Sequence, residues 1–126
     1  EVVGTVPDVR PYVARSSVVV TPLRIARGVK NKILEAMAMG KAVVSSPRPL
    51  QGLPITPGEH CLTADEPHEW VAAIQGLLDH PETRGKLGAA AAAYVRTHHR
   101  WSDCLEPLTQ SLRSALPEAA LATGPV

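Results

Sequence analysis

Arg24-Ile25-Ala26-Arg27-Gly28-Val29-Lys30-Asn31-Lys32-Ile33-Leu34-Glu35-Ala36-Met37-Ala38-Met39-Gly40 is the stretch that decides the fold. It reads as a basic, glycine-containing loop that enters a helix from about Val29 to Met39, ended by Gly40 at its C-cap. One apolar run, Val18-Val19-Val20, precedes it, and another, Ala42-Val43-Val44, follows. Strand, loop, helix, strand is a unit that brings a helix N-terminus to the end of a sheet. Phosphates bind at such a place.

Working outward, Val2 to Val6 reads as a first strand closed by Pro7-Asp8. A short helix follows, with Asp8 as N-cap, Pro11 in the first turn, and Val9, Tyr12 and Val13 at helical spacing. Beyond Ser45, the prolines at 47, 49, 54 and 57 with Gly52 and Gly58 argue against regular structure. His60–Thr63 reads as a fourth strand. A helix starts at Pro67 and runs to about Asp79, with Trp70, Val71, Ile74, Leu77 and Leu78 on its apolar side. Another, Glu82 to about Thr97, carries the alanine run 89–93, whose simplest role is a close-packed face. Arg100-Trp101-Ser102 opens a last helix with Leu105, Leu108 and Leu112 at helical spacing, and Pro107 predicts a kink or a later start. The small-residue tail, 117–126, reads as disordered. Strands alternating with helices imply an α/β fold, a parallel Rossmann-like sheet in a three-layer α/β/α sandwich. Four strands are fewer than such a sheet usually has, so the reading is of a partial domain over residues 1–116.

Composition narrows the function. The 126 residues contain no Phe, so Ala, Val and Leu fill the interior. A net charge of +1 argues against a dedicated nucleic-acid binder. The charge is unevenly spread: residues 1–63 hold eight Lys/Arg and four Asp/Glu, and residues 64–126 hold five and eight. No acid stands between Asp8 and Glu35, a stretch with six bases, so a small anion is drawn to that half. Cys61 and Cys104 read as two buried or half-buried thiols of a reducing compartment. Neither a membrane span nor a signal peptide is legible.

The candidate site lies at the loop–helix junction. Backbone N–H groups of a first helical turn have no partner within the helix, and the dipole there favours an anion. Gly28 permits close approach, and Arg24, Arg27, Lys30 and Lys32 add charge beside Val29 and Asn31. The plainer alternative is a solvated basic loop. Glu35 stands among Ile33, Leu34, Ala36 and Met37, which read as core, so it is expected to be more than a surface charge. Its two oxygens suit the vicinal hydroxyls of a ribose. The alternative is a salt bridge to Lys32, Lys30 or Arg27. The five histidines form no metal pattern: His98 and His99 are adjacent and face different sides of a helix. Ser45-Ser46 is not a nucleophile elbow.

These residues also resemble a known family. Ile33-Leu34-Glu35-Ala36-Met37-Ala38-Met39-Gly40-Lys41-Ala42-Val43-Val44 is similar to the "LEAMA-x-G-x-PVV" signature of retaining glycosyltransferases of family 4 (group 1), which have the GT-B fold. Gly4 to Tyr12 resembles the "G-x-V-x-D-x-x-x-Y" segment, Pro57 to Leu62 the "DG-x-x-G-L-L-V" turn and strand, and Asp79 to Arg84 "DP-x-x-R". Arg100-Trp101-Ser102 stands where the family has "F/Y-S-W". Gly28, Lys32 and Glu35 together look like the sugar transferases of bacterial PEP-CTERM/exosortase exopolysaccharide loci.

The resemblance implies the latter part of a C-terminal, nucleotide-sugar-binding domain. Glu35 matches the second glutamate of the E-x7-E motif, which holds the donor ribose. Arg27 stands where the first would fall, and an arginine can contact a phosphate or an acidic sugar instead. Val29 and Lys30 replace the last two residues of the family's "E-G-F-G". The substrate implied is a nucleoside-diphosphate sugar, with no cofactor and no obligatory metal. The partners implied are an N-terminal domain of the same protein and a glycan or lipid-linked acceptor. The location implied is the cytoplasm or the inner face of its membrane, and the fragment alone is expected to be inactive. Two rivals stand beside this: a nucleotide-sugar 2-epimerase of GT-B fold, and a non-catalytic nucleotide-binding or regulatory module.

Overall fold

The structure is a computed structural model that describes residues 1–25 and 30–115; the side chains of Trp101 and Asp103 are outside the description. The tail reading, 117–126, also falls outside it. In chain order the elements are α1 (Arg10–Arg15), β1 (Val18–Thr21), α2 (Asn31–Ala38), β2 (Ala42–Ser45), α3 (Pro47–Leu50), β3 (Leu62–Thr63), α4 (Pro67–Asp79), α5 (Pro81–His98) and α6 (Trp101–Ala115). The strands form one parallel sheet in the order β1-β2-β3. Val18 pairs with Ala42 and Thr21 with Ser45, while Val44 pairs with Leu62. β2 is central and buried throughout.

Side-chain alternation along the strands divides the core into two. Val19 and Val43 point to one face, where Ile33, Ala36 and Met37 of α2 pack with Ala91 and Tyr94 of α5. Val18, Ala42, Val44 and Leu62 point to the other, against Trp70, Ala73, Ile74 and Leu77 of α4. Helices therefore cover both faces, giving the expected three-layer α/β/α arrangement. The alanine run does pack closely, with Ala91 and Ala92 buried.

The layers meet most tightly at two glycines. Met39 ends α2, and Gly40 turns the chain at φ +69°, a left-handed conformation that costs a residue with a Cβ about 1–2 kcal/mol. Gly88 of α5 lies directly on this turn. A Cβ there would overlap Gly40 O and come within 2.9 Å of the Gly40 carbonyl carbon. Lys41, next in sequence, reaches across to donate from Nζ to Ala14 O (2.6 Å) and Ser16 O (3.1 Å), satisfying carbonyls at the end of α1. Arg84 does the same for α4 through Leu77 O (2.9 Å).

Several sequence expectations need correction. Val2–Val6 is not a strand: Val2 is 98% exposed, Gly4 takes φ +75°, and no ladder partner lies alongside, so the described sheet has three strands and not four. Asp8 does not cap α1. Val9 holds the N-cap position, and the Asp8 carboxylate instead accepts from Arg10 N and the Arg10 guanidinium, which holds it below the usual carboxylate range. The proline-rich stretch includes α3, because Pro47 and Pro49 both fall in a first turn that needs no N–H from them. β3 begins at Leu62, since the His60 ring is taken up in its own turn, with Nδ1 accepting from Thr56 N at 3.0 Å. Val71 and Leu78 are exposed on α4, whose buried stripe is narrower than the sequence suggests. Pro107 neither ends nor delays α6, which runs from Trp101 through it to Ala115.

The two cysteines differ in a testable way. Cys61 is fully buried, and burial pushes its thiol up to about 11. Cys104 is exposed, against the expectation of a second buried or half-buried thiol. Only a thiolate reacts with disulfide reagents. A native sample at pH 8 is therefore expected to titrate one thiol promptly and the second only after denaturation; two prompt thiols would contradict this packing.

Candidate functional site

All three strands end at one edge of the sheet, and ligands of parallel α/β sheets bind outside this edge. After β1 the chain enters the loop that leads to α2. Arg27, Gly28 and Val29 lie outside the described residues, so the structure says nothing of their expected roles. Lys30 is half-buried at the N-cap position of α2. The helix itself starts at Asn31, two residues later than the sequence suggests. Asn31 and Lys32 are exposed in its first turn.

The N-terminus of α2 is electrostatically open. Among the described residues no side-chain cap bond is made at this end, and its first turn holds no acid. The contrast with α4 is instructive. There the Glu69 carboxylate accepts from Asp65 N (2.8 Å) and Glu66 N (3.1 Å), and these N–H groups hold it below the usual carboxylate range. Among the described residues the protein thus supplies its own anion at α4 and no acid in the first turn of α2.

Glu35 sits one turn into α2 and is exposed, although its sequence neighbours Ile33, Ala36 and Met37 are buried as read. The reason is angular. Ile33, Ala36 and Met37 form the buried stripe, and the 100° step per residue carries Glu35 to the far side. Among the described residues it makes no ion pair, so the salt-bridge alternative is not seen there. Its two oxygens are open to solvent above the same helix whose N-terminus is uncapped.

The same edge opens into a cleft of about 740 Å³, which includes Leu23, Arg24, Arg48, Asp65, Glu66 and Trp70 of α4 in its lining. Ser46 holds this edge together: its Oγ donates to Leu23 O (2.7 Å), and Arg48 Nη1 donates to Arg24 O (3.0 Å). Sequence reading missed this cluster because its members come from three separate loops. The one available signal was that each loop follows the end of a strand.

The family model described as glycosyl transferases group 1 matches residues 1–80. The chain belongs to this family. No curated protein matches it significantly. Among solved structures, the glycosyl transferase chain is similar to sucrose-phosphate synthase from Thermosynechococcus elongatus, with a TM-score of 0.74 and 24% identity. The likeness covers 85% of this chain and 27% of that one. It is a likeness of fold, the Rossmann-like arrangement of GT-B. The group 1 match spans β1, α2, β2 and β3, so the uncapped helix and the cleft both lie within it. No helix among the described residues is long and apolar enough to cross a membrane.

Proposed function

We propose that this chain is the donor-binding part of a retaining glycosyltransferase that moves a sugar from a nucleoside-diphosphate donor to a glycan or lipid-linked acceptor. The observation that carries this reading is the uncapped N-terminus of α2 with Glu35 exposed one turn beyond it, at the carboxyl edge of the sheet in a group 1 chain. The diphosphate would lie at the helix N-terminus and the ribose hydroxyls on the Glu35 carboxylate.

Departure of the nucleoside diphosphate builds negative charge on the β-phosphate. A helix terminus contributes roughly 0.3–2 kcal/mol toward an anion, too little alone to drive transfer. Arg27, Lys30 and Lys32 would supply the remainder as point charges, with Gly28, Val29 and Asn31 providing backbone close to the phosphates. On this reading no metal or other cofactor is required. The acceptor and the groups facing the reacting carbon would belong to an N-terminal domain of the same protein, so residues 1–116 alone would bind donor without turnover. Exopolysaccharide assembly on the cytoplasmic side of a bacterial membrane, with peripheral attachment, is the setting the motif resemblance favours.

Arg27 supports one competing reading, a nucleotide-binding module without activity, because the usual first glutamate is replaced there. Calorimetric titration with UDP and GDP tests the ribose role directly. One of the two nucleotides is expected to bind the wild type, and Glu35→Ala is expected to weaken it tenfold or more. Equal affinity in both proteins would sink the assignment of Glu35. Release of free nucleoside diphosphate with no glycosylated acceptor, measured on the protein with its partner domain, would favour an epimerase over transfer.

A further inference from the structure

The cleft on the α4 side carries an inference of its own. Its lining includes no residue of α2, and Trp70 packs with Val18, Ala42 and Val44 on the face of the sheet opposite to that helix. Its volume of about 740 Å³ falls within the roughly 300–1,000 Å³ of small-molecule sites.

The lining is chemically mixed in a way that restricts the ligand. Asp65 and Glu66 bring carboxylates, and Arg24 and Arg48 bring guanidinium groups, yet no ion pair joins them. The side chains of Arg24 and Asp65 make no hydrogen bond to any described residue. Arg48 commits one of its five N–H donors to the Arg24 carbonyl. A small anion would meet the two acids, and a small cation would meet the two arginines. A neutral polyol meets neither penalty. Each hydroxyl can donate to a carboxylate and accept from a guanidinium, so one ring satisfies both kinds of group. Trp70 completes the set. It is half-buried, rooted in the core beside Ile74 and Leu77, and it lines the cleft. An indole held this way offers a rigid apolar surface to the C–H face of a sugar ring.

We propose that this cleft is a carbohydrate subsite, in which a neutral hexopyranose lies against Trp70 with its hydroxyls held by Asp65, Glu66, Arg24 and Arg48. The proposal deepens the glycosyl-transfer reading and rests on it for the choice of probes. The ring has two possible sources, the sugar of the nucleotide donor and a hexose of the acceptor.

The test follows the indole N–H of Trp70 by proton–nitrogen NMR on the full chain, with the signal assigned by its loss in Trp70→Phe. The ligands are methyl gluco-, galacto- and mannopyranoside, UDP-glucose, GDP-mannose, and UDP and GDP alone. A saturable shift with a methyl hexoside or a nucleotide sugar is expected, weakened tenfold or more in Asp65→Ala and Arg24→Ala, two exposed positions that leave the core intact. Movement with methyl hexosides identifies the acceptor as source, and movement with nucleotide sugars only identifies the donor. UDP or GDP alone is expected to leave the indole still. If UDP or GDP moves it as far as the sugars do, the cleft is a nucleotide site and the proposal falls. It also falls if no sugar shifts the indole while nucleotide binding remains sensitive to Glu35→Ala; the donor reading then survives. A hexoside shift with no nucleotide binding anywhere would retain the subsite and remove the donor reading.

Discussion

Gly88→Ala is expected to destabilise the chain by about 3 kcal/mol, the upper end of the usual cost of forcing an extra methyl into a packed interface. The added Cβ would overlap Gly40 O and lie 2.9 Å from the carbonyl carbon. Both atoms are backbone, so no rotamer change relieves the clash; α5 must move away from the turn. The turn has little freedom to yield. Gly40 occupies φ +69°, Lys41 N donates to Ala36 O, and Lys41 Nζ is tied to α1. Gly85→Ala is the control. It lies on the same helix, is exposed, and has open space where its Cβ would go. That substitution is expected to stabilise by about 0.4–1 kcal/mol, through helix propensity and a less free unfolded chain. Urea midpoints measured together decide the matter. A Gly88→Ala midpoint equal to or above wild type would show that α5 and the Gly40 turn are not in backbone contact.

Met37→Ala is expected to cost about 3 kcal/mol, within the range for emptying a buried methionine site. Met37 is 0% exposed and sits in the cluster formed by Ile33, Val43, Cys61, Ala91 and Tyr94. Its neighbours are drawn from its own helix, from α5, from the central strand and from Cys61 just before β3, so collapse around the gap would require several elements to shift together. The comparison with Glu35 gives this prediction its functional value. Two residues apart on α2, one side chain is expected to govern stability and the other nucleotide affinity. Glu35→Ala should change the urea midpoint little, since exposed substitutions fall within about 0.5 kcal/mol. Met37→Ala should retain nucleotide affinity while folded. If Glu35→Ala also lowered the unfolding free energy by about 3 kcal/mol, as expected of Met37→Ala, a loss of binding there would report unfolding and the division of α2 into two faces would be wrong.

The parts of this fold that are legible in the sequence are those fixed by local chemistry. Pro67 and Asp79 bound α4 as read, because proline pre-sets a first turn and His80-Pro81 forces a break. The strand–loop–helix unit around Gly40 is legible for the same reason: apolar runs, a left-handed glycine and a 3.6-residue stripe are all short-range signals. The errors arise where a residue's fate depends on distant parts of the chain. Val2–Val6 has strand composition, but composition does not supply a neighbouring ladder. Glu35 has apolar neighbours in sequence, and only the winding of the helix puts it on the outer side. The Trp70 cleft draws on loops after all three strands, so no window of sequence contains it. The candidate residues that sequence reading names sit on one helix and its approach. The residues that line the cleft are brought together by the sheet.

β1 has a further consequence. Among the described residues it is bonded to β2 on one side only, and Val20 on it is 44% exposed. An unpaired strand with apolar side chains is adhesive: its free N–H and C=O groups accept any extended segment that comes alongside, including β1 of another copy. Concentrated solutions of the chain therefore carry an aggregation hazard at this strand and not at the buried β2. A lysine at position 20, facing solvent on the open edge, is the substitution that would make the chain easier to keep in solution without touching either half of the core.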